Sequence, residues 1–203
     1  MKTLILAALL VAMPAVAREA DISGVLRVTD ADTVEYAVTG RRTGGVTEIA
    51  FDDIHWRFRG NTVYAPGKTG WERQNTGTVF ARMTLTGALD QFVALEMLFG
   101  VRTGWYDDYV QYGEEGDFYT VRAVFSPEAY AAMFESWLQS LPGVLNATAR
   151  RVVRGLDAQS ELVFYFCKSD GQVVRVDTET SFAPVRPQVY AGRRTTRGVL
   201  YFN

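Results

Sequence analysis

Glu161-Leu162-Val163-Phe164-Tyr165-Phe166-Cys167, then Lys168-Ser169-Asp170-Gly171, then Gln172-Val173-Val174-Arg175-Val176-Asp177, reads as two strands and the turn between them. β-branched and aromatic side chains fill the arms, and such residues suit a pleated sheet surface. The Asp170-Gly171 pair supplies the positive φ angles that tight hairpin turns require.

The same pattern recurs outward from this hairpin. Ile54 to Arg59 puts Ile54, Trp56 and Phe58 on one face and His55, Arg57 and Arg59 on the other, the period of a half-buried strand. Ser23 to Thr29 and Thr33 to Val38 read as a hairpin around Asp30-Ala31-Asp32. Val46 to Phe51, Thr78 to Thr86, Trp105 to Tyr112, Phe118 to Phe125, Val189 to Ala191 and Gly198 to Phe202 complete the strand candidates. Arg18 to Asp21 reads as a frayed arm, and Arg41-Arg42-Thr43-Gly44-Gly45 and the glycine- and proline-punctuated stretch Asn61 to Gly77 read as loops. Ala88 to Phe99 fits a helix, or a buried strand from Phe92 onward.

Ser126-Pro127-Glu128 is the best helix start in the chain. The serine hydroxyl can cap exposed amides, proline suits the first helical position, and glutamate favours the positive end of the helix dipole. Tyr130, Met133, Phe134, Trp137, Leu138 and Leu141 then share a helical face, and after Pro142-Gly143 a second helix is expected over Val144 to Leu156. The expected class is mainly β (α+β): one domain, a β-sandwich or barrel, with a helical hairpin near 126–156 packed on one side.

The N-terminus concerns address. Met1-Lys2, the apolar run Thr3 to Met13 and Ala15-Val16-Ala17 have the order of a secretory signal peptide. The apolar run is 11 residues long, and a membrane span needs roughly 20. Residues 1–17 are therefore expected to be cleaved. That leaves 18–203 as a single exported domain, secreted or periplasmic, with no transmembrane helix in the mature chain. Without Lys2 the balance is 20 basic to 23 acidic residues, which gives no global attraction for nucleic acid. Cys167 is the one cysteine, so no internal disulfide forms, and its apolar run reads as buried packing. One histidine and one cysteine cannot build a zinc site.

Candidate chemistry gathers in few places. Trp105, Tyr106, Tyr109 and Tyr112, together with Trp71, form an aromatic set able to stack on sugar rings or peptide side chains. Asp107 and Asp108 stand beside the acidic tip Glu114-Glu115-Gly116-Asp117. Paired carboxylates of this kind can hold calcium or run glycoside hydrolysis. Asp30 and Asp32 form a second possible calcium corner. Arg150-Arg151 with Arg154, and Arg193-Arg194 with Arg197, read as solvated faces.

Gly24-Val25-Leu26-Arg27-Val28-Thr29-Asp30-Ala31-Asp32-Thr33-Val34 resembles the opening of staphylococcal-nuclease-like enzymes, and that resemblance implies a role for Asp32 in holding calcium. The chain departs from the family at Ala31, where glycine is usual. It departs again after Arg57-Phe58-Arg59-Gly60, where the required aspartate and glutamate are absent. No catalytic constellation is complete. The expectation is a non-enzymatic β-rich binding or interaction module of the envelope or exterior, taking a small ligand, a glycan or a protein surface. A calcium-dependent phosphodiesterase or nuclease-like hydrolase and a small outer-membrane barrel are the alternatives.

Overall fold

The computed structural model describes residues 19–29, 32–59, 62–75, 110–140, 158–182 and 194–203. The signal peptide expected over 1–17, the strands expected over 78–86 and 189–191, and the helices expected over 88–99 and 144–156 lie outside them.

The strands in chain order are β1 (Glu19–Thr29), β2 (Thr33–Thr43), β3 (Val46–Phe51), β4 (Ile54–Arg59), β5 (Thr62–Gly67), β6 (Gly70–Arg73), β7 (Val110–Glu115), β8 (Phe118–Phe125), β9 (Ala158–Cys167), β10 (Val173–Phe182) and β11 (Arg194–Phe202). Among the described residues one helix, α1 (Pro127–Ser140), follows β8. All eleven strands join one sheet in the order β6-β5-β4-β3-β2-β1-β11-β10-β9-β8-β7. Every pairing is antiparallel. The molecule is thus mainly β with a helix packed on one side. Its sandwich-or-barrel expectation resolves into a single continuous sheet, closed on neither flank by a pairing of β6 with β7 among the described residues. Local hairpins account for most pairings, and only β1 with β11 brings the two ends of the chain together.

Several segments differ from the sequence reading in extent. Glu19 to Asp21 is strand, because Glu19 pairs with Thr43 and Asp21 with Arg41 in β2. Arg41 to Thr43 is accordingly strand as well, and the turn shrinks to Gly44 and Gly45, at φ of 57° and 78°. The stretch after Asn61 holds β5 and β6, with Pro66 near the sheet's flank. Glycine and proline marked its turn correctly but concealed two short strands. The quoted hairpin extends to Ala158 on one side and Phe182 on the other. Its turn uses Gly171 at φ 72°, while Asp170 contributes differently from expectation: its carboxylate accepts the Gln172 N–H at 2.9 Å.

One face of the sheet is the core. Ile22, Leu26, Val38, Ile49, Phe51, Trp56, Val63, Ala65, Val121, Ala123, Leu162, Phe164, Val176 and Leu200 are all buried on it. Two glycines sit where neighbouring strands approach closely. A Cβ on Gly24 would run into the Val199 carbonyl of β11, and one on Gly40 into the Glu48 carbonyl of β3. The backbones approach there as only glycine permits.

α1 starts as its sequence dictates. The Ser126 Oγ accepts the Ala129 N–H at 3.3 Å and donates to Glu128 at 3.0 Å. The helix packs on β9 and β8, with Tyr130 fully buried and edge-on to Phe182 at 6.2 Å between ring centroids.

Candidate ligand-binding faces

The register divides the side chains into an inner and an outer set. On the inner face most rows are apolar, such as Val121, Phe164, Val176, Leu200, Gly24 and Val38 from β8 round to β2. Two polar seams interrupt it. Ser160, Thr180 and Thr196 occupy one row on β9, β10 and β11, all buried, and the Thr180 hydroxyl donates to Ser160 at 2.7 Å. Arg42 lies towards the other end, in a row with Thr47, Phe58 and Val63, and donates to the Thr47 hydroxyl at 2.8 Å. Burial lowers the pKa of Arg42, because an apolar setting disfavours the charged form. This face is therefore apolar in most rows, with partnered polar side chains at two places.

The outer face is paired and solvated. Arg27 meets Glu35, Arg197 meets Glu179, and Arg122 meets Glu161, each at 2.7–2.8 Å. Cys167 belongs to this face, and the expectation that it is buried is corrected: it is half-exposed, with Sγ 3.1 Å from the Ser169 hydroxyl. The strand period explains this. Leu162, Phe164 and Phe166 turn inward, so the odd-numbered residues of the same run turn outward.

The aromatic set named from sequence is only partly within the described residues. Trp71 lies on β6, where the Arg57 guanidinium sits 4.3 Å from its ring and is itself held by Glu48 at 2.8 Å. Tyr112 lies on β7 opposite Val121, on the inner face and at the other end of the strand order. The sheet thus sets these two on different faces. Trp105, Tyr106, Tyr109, Asp30, Asp107 and Asp108 lie outside the described residues, and Asp32 immediately precedes β2. Among the described residues, no three His, Cys, Asp or Glu side chains gather to hold a metal ion.

Sequence reading missed Arg42 because its segment looked like a loop. The signal was there in its parity with Tyr36, Val38 and Gly40. It also missed the outer-face row Tyr201, Arg175, Tyr165, whose members come from three strands with no local sign of their meeting.

No protein-family model matches the chain, and neither does any curated protein. Among solved structures, a LolA superfamily protein from Nitrosomonas europaea aligns at 10% identity and TM-score 0.27, over 97% of this chain and 90% of its own. A domain described as an outer membrane lipoprotein-sorting protein, from Vibrio parahaemolyticus, aligns at 6% identity and TM-score 0.37, over 98% and 92%. At those TM-scores the likenesses carry no weight for function.

Proposed function

We propose that this protein is an exported, non-enzymatic binding module that receives a small apolar or amphiphilic ligand against the inner face of its sheet. The observation that carries the reading is the continuity of that apolar face across the eleven-stranded sheet, from Val63 and Ala65 on β5 to Val121 and Ala123 on β8. Barrels of about eight strands have interiors that side chains just fill, or that hold one small ligand. The eleven-stranded sheet here exceeds that count.

The polarity of the two faces favours this reading over an outer-membrane barrel. Such barrels turn an apolar band outward and keep a polar interior. Here the inner face is apolar, and the outer face carries Arg27–Glu35, Arg122–Glu161 and Arg197–Glu179. No described helix is long and apolar enough to cross a membrane.

Native mass spectrometry on protein recovered from an exporting host without detergent tests the proposal. The expected result is loss of residues 1–17 and a reproducible bound mass that extracts into organic solvent. An empty protein that also fails to enhance the fluorescence of an apolar probe overturns it.

A further inference from the structure

We infer a second, separate binding strip on the outer face, centred on Tyr201, Arg175 and Tyr165, and we propose that its ligand is a neutral β-linked glycan chain. Tyr201 on β11 pairs with Arg175 on β10, which pairs with Tyr165 on β9. A β-bulge creates this row. Phe166 pairs with Val173, but the next residue of β9, Tyr165, pairs with Arg175, so Val174 is the extra residue. Without the bulge Val174 would stand opposite Tyr165. Bulges re-aim side chains, and this one brings a guanidinium over an aromatic ring.

Arg175 and Tyr165 are held in place by their neighbours. The Arg175 guanidinium carbon lies 4.9 Å from the Tyr165 ring centroid. Asp177 holds the same group through Nε and Nη2, each at 2.6 Å. Phe118 meets Tyr165 edge-on at 6.2 Å. Tyr201, at the end of the row, is 46% exposed and is flanked by the exposed Val25 of β1. The bidentate pair cancels its own charge, so the strip attracts neither anion nor cation strongly. Arg175 uses two of the roughly four acceptor directions of the Asp177 carboxylate, and the Tyr165 hydroxyl bonds the same carboxylate. Ser23 and Thr120 extend the row on either side with hydroxyls.

Flat aromatic surface beside a neutralised donor–acceptor pair, with hydroxyls in line, complements a sugar. Its C–H face stacks on a ring while its hydroxyls bond sideways. Strands lie about 4.8 Å apart, which puts Tyr201 and Tyr165 roughly 10 Å apart across the sheet. Alternate sugars of an extended β-linked chain present the same face at about that separation. A chain lying across the strands would meet Tyr201 with one sugar and the Arg175–Tyr165 stack with the next but one.

Affinity electrophoresis of protein from an exporting host, in gels holding glycol chitin or hydroxyethyl cellulose, tests this. The protein should be retarded in at least one gel. Tyr201→Ala should weaken the retardation by about tenfold, Tyr201→Trp should retain it, and Arg27→Ala, on the same face but in another row, should leave it unchanged. Migration without retardation in both gels overturns the proposal and leaves the row a purely sheet-stabilising feature. So does a Tyr201→Ala protein retarded as strongly as the parent, or an equal loss in Arg27→Ala.

Discussion

Asp52 bonds both backbone polar groups of Ala37: its N–H donates to the Ala37 carbonyl at 3.0 Å, and its Oδ1 accepts the Ala37 N–H at 2.9 Å. Val38 pairs with Phe51, so Ala37 and Asp52 form the next rung of the β2–β3 ladder. Asp52 opens the two-residue loop to β4 at φ 50°, the one positive φ outside glycine among the described residues. The side-chain carboxylate serves as the acceptor for the Ala37 N–H on this rung. Aspartate tolerates the left-handed region better than most residues.

Asp52→Ala should therefore cost about 1–3 kcal/mol, from a lost acceptor and an unfavourable φ together. Asp52→Gly should cost less, since it loses only the acceptor, and Asp52→Asn least. Urea unfolding midpoints for the three variants check the order. An Asp52→Gly protein less stable than Asp52→Ala would contradict the assignment of φ strain.

Gly24 and Gly44 are both required, for different reasons. A Cβ on Gly24 meets the β11 backbone, whereas one on Gly44 meets nothing but must adopt φ 57°. Gly44→Ala should cost about 1–2 kcal/mol. Gly24→Ala should cost more, because backbone rather than a flexible side chain must give way. Gly44→Asn should recover much of its loss while Gly24→Asn recovers none. Thermal unfolding of the four variants separates steric from conformational cost.

Helix α1 depends on one cap and one anchor. Ser126→Ala should lower stability by roughly 0.5–2 kcal/mol through the lost bond to the Ala129 amide. Tyr130→Ala empties a fully buried site against Phe182 and should cost about 3 kcal/mol or more. Protease susceptibility of the 126–140 segment should rise in both, and more in the second. Equal susceptibility in parent and Tyr130→Ala would mean that the helix is not anchored by this contact.

Glu161 carries an acid-sensitive contribution. Its hydrogen bonds from Arg122, Nε to Oε1 and Nη2 to Oε2 at 2.7 Å each, hold its pKa below the ordinary value. Burial opposes the shift and the Arg122 charge adds to it. The folded pKa is thus the lower one. The contribution is complete above about pH 4.3, the unfolded value, and disappears as pH falls through the folded pKa. Both partners are substantially exposed, so its worth is about 1 kcal/mol or less. Glu161→Gln should be less stable than the parent at neutral pH, with the gap closing in acid. Urea midpoints across that range measure it, and a gap that does not vary with pH would remove the pair as its source.

Local chemistry was enough to read the alternation of Ile54 to Arg59, the turn at Gly171 and the Ser126-Pro127-Glu128 helix start, because each depends on residues a few positions apart. Strand ends were harder. Arg41 and Arg42 look like loop residues until Asp21 and Ala20 are seen opposite them. The order of the sheet was not legible, nor was the meeting of Tyr201, Arg175 and Tyr165. Pairing β1 with β11 joins residues some 170 positions apart, and no local propensity encodes that. Cys167 makes the same point in one side chain. Its apolar neighbours suggested burial, but a strand in a sheet with one buried face sends alternate residues to solvent whatever their character. The sequence determined which segments could be strands and where they turn. Tertiary structure decided which face each side chain joined, because register and burial are settled between strands rather than within them.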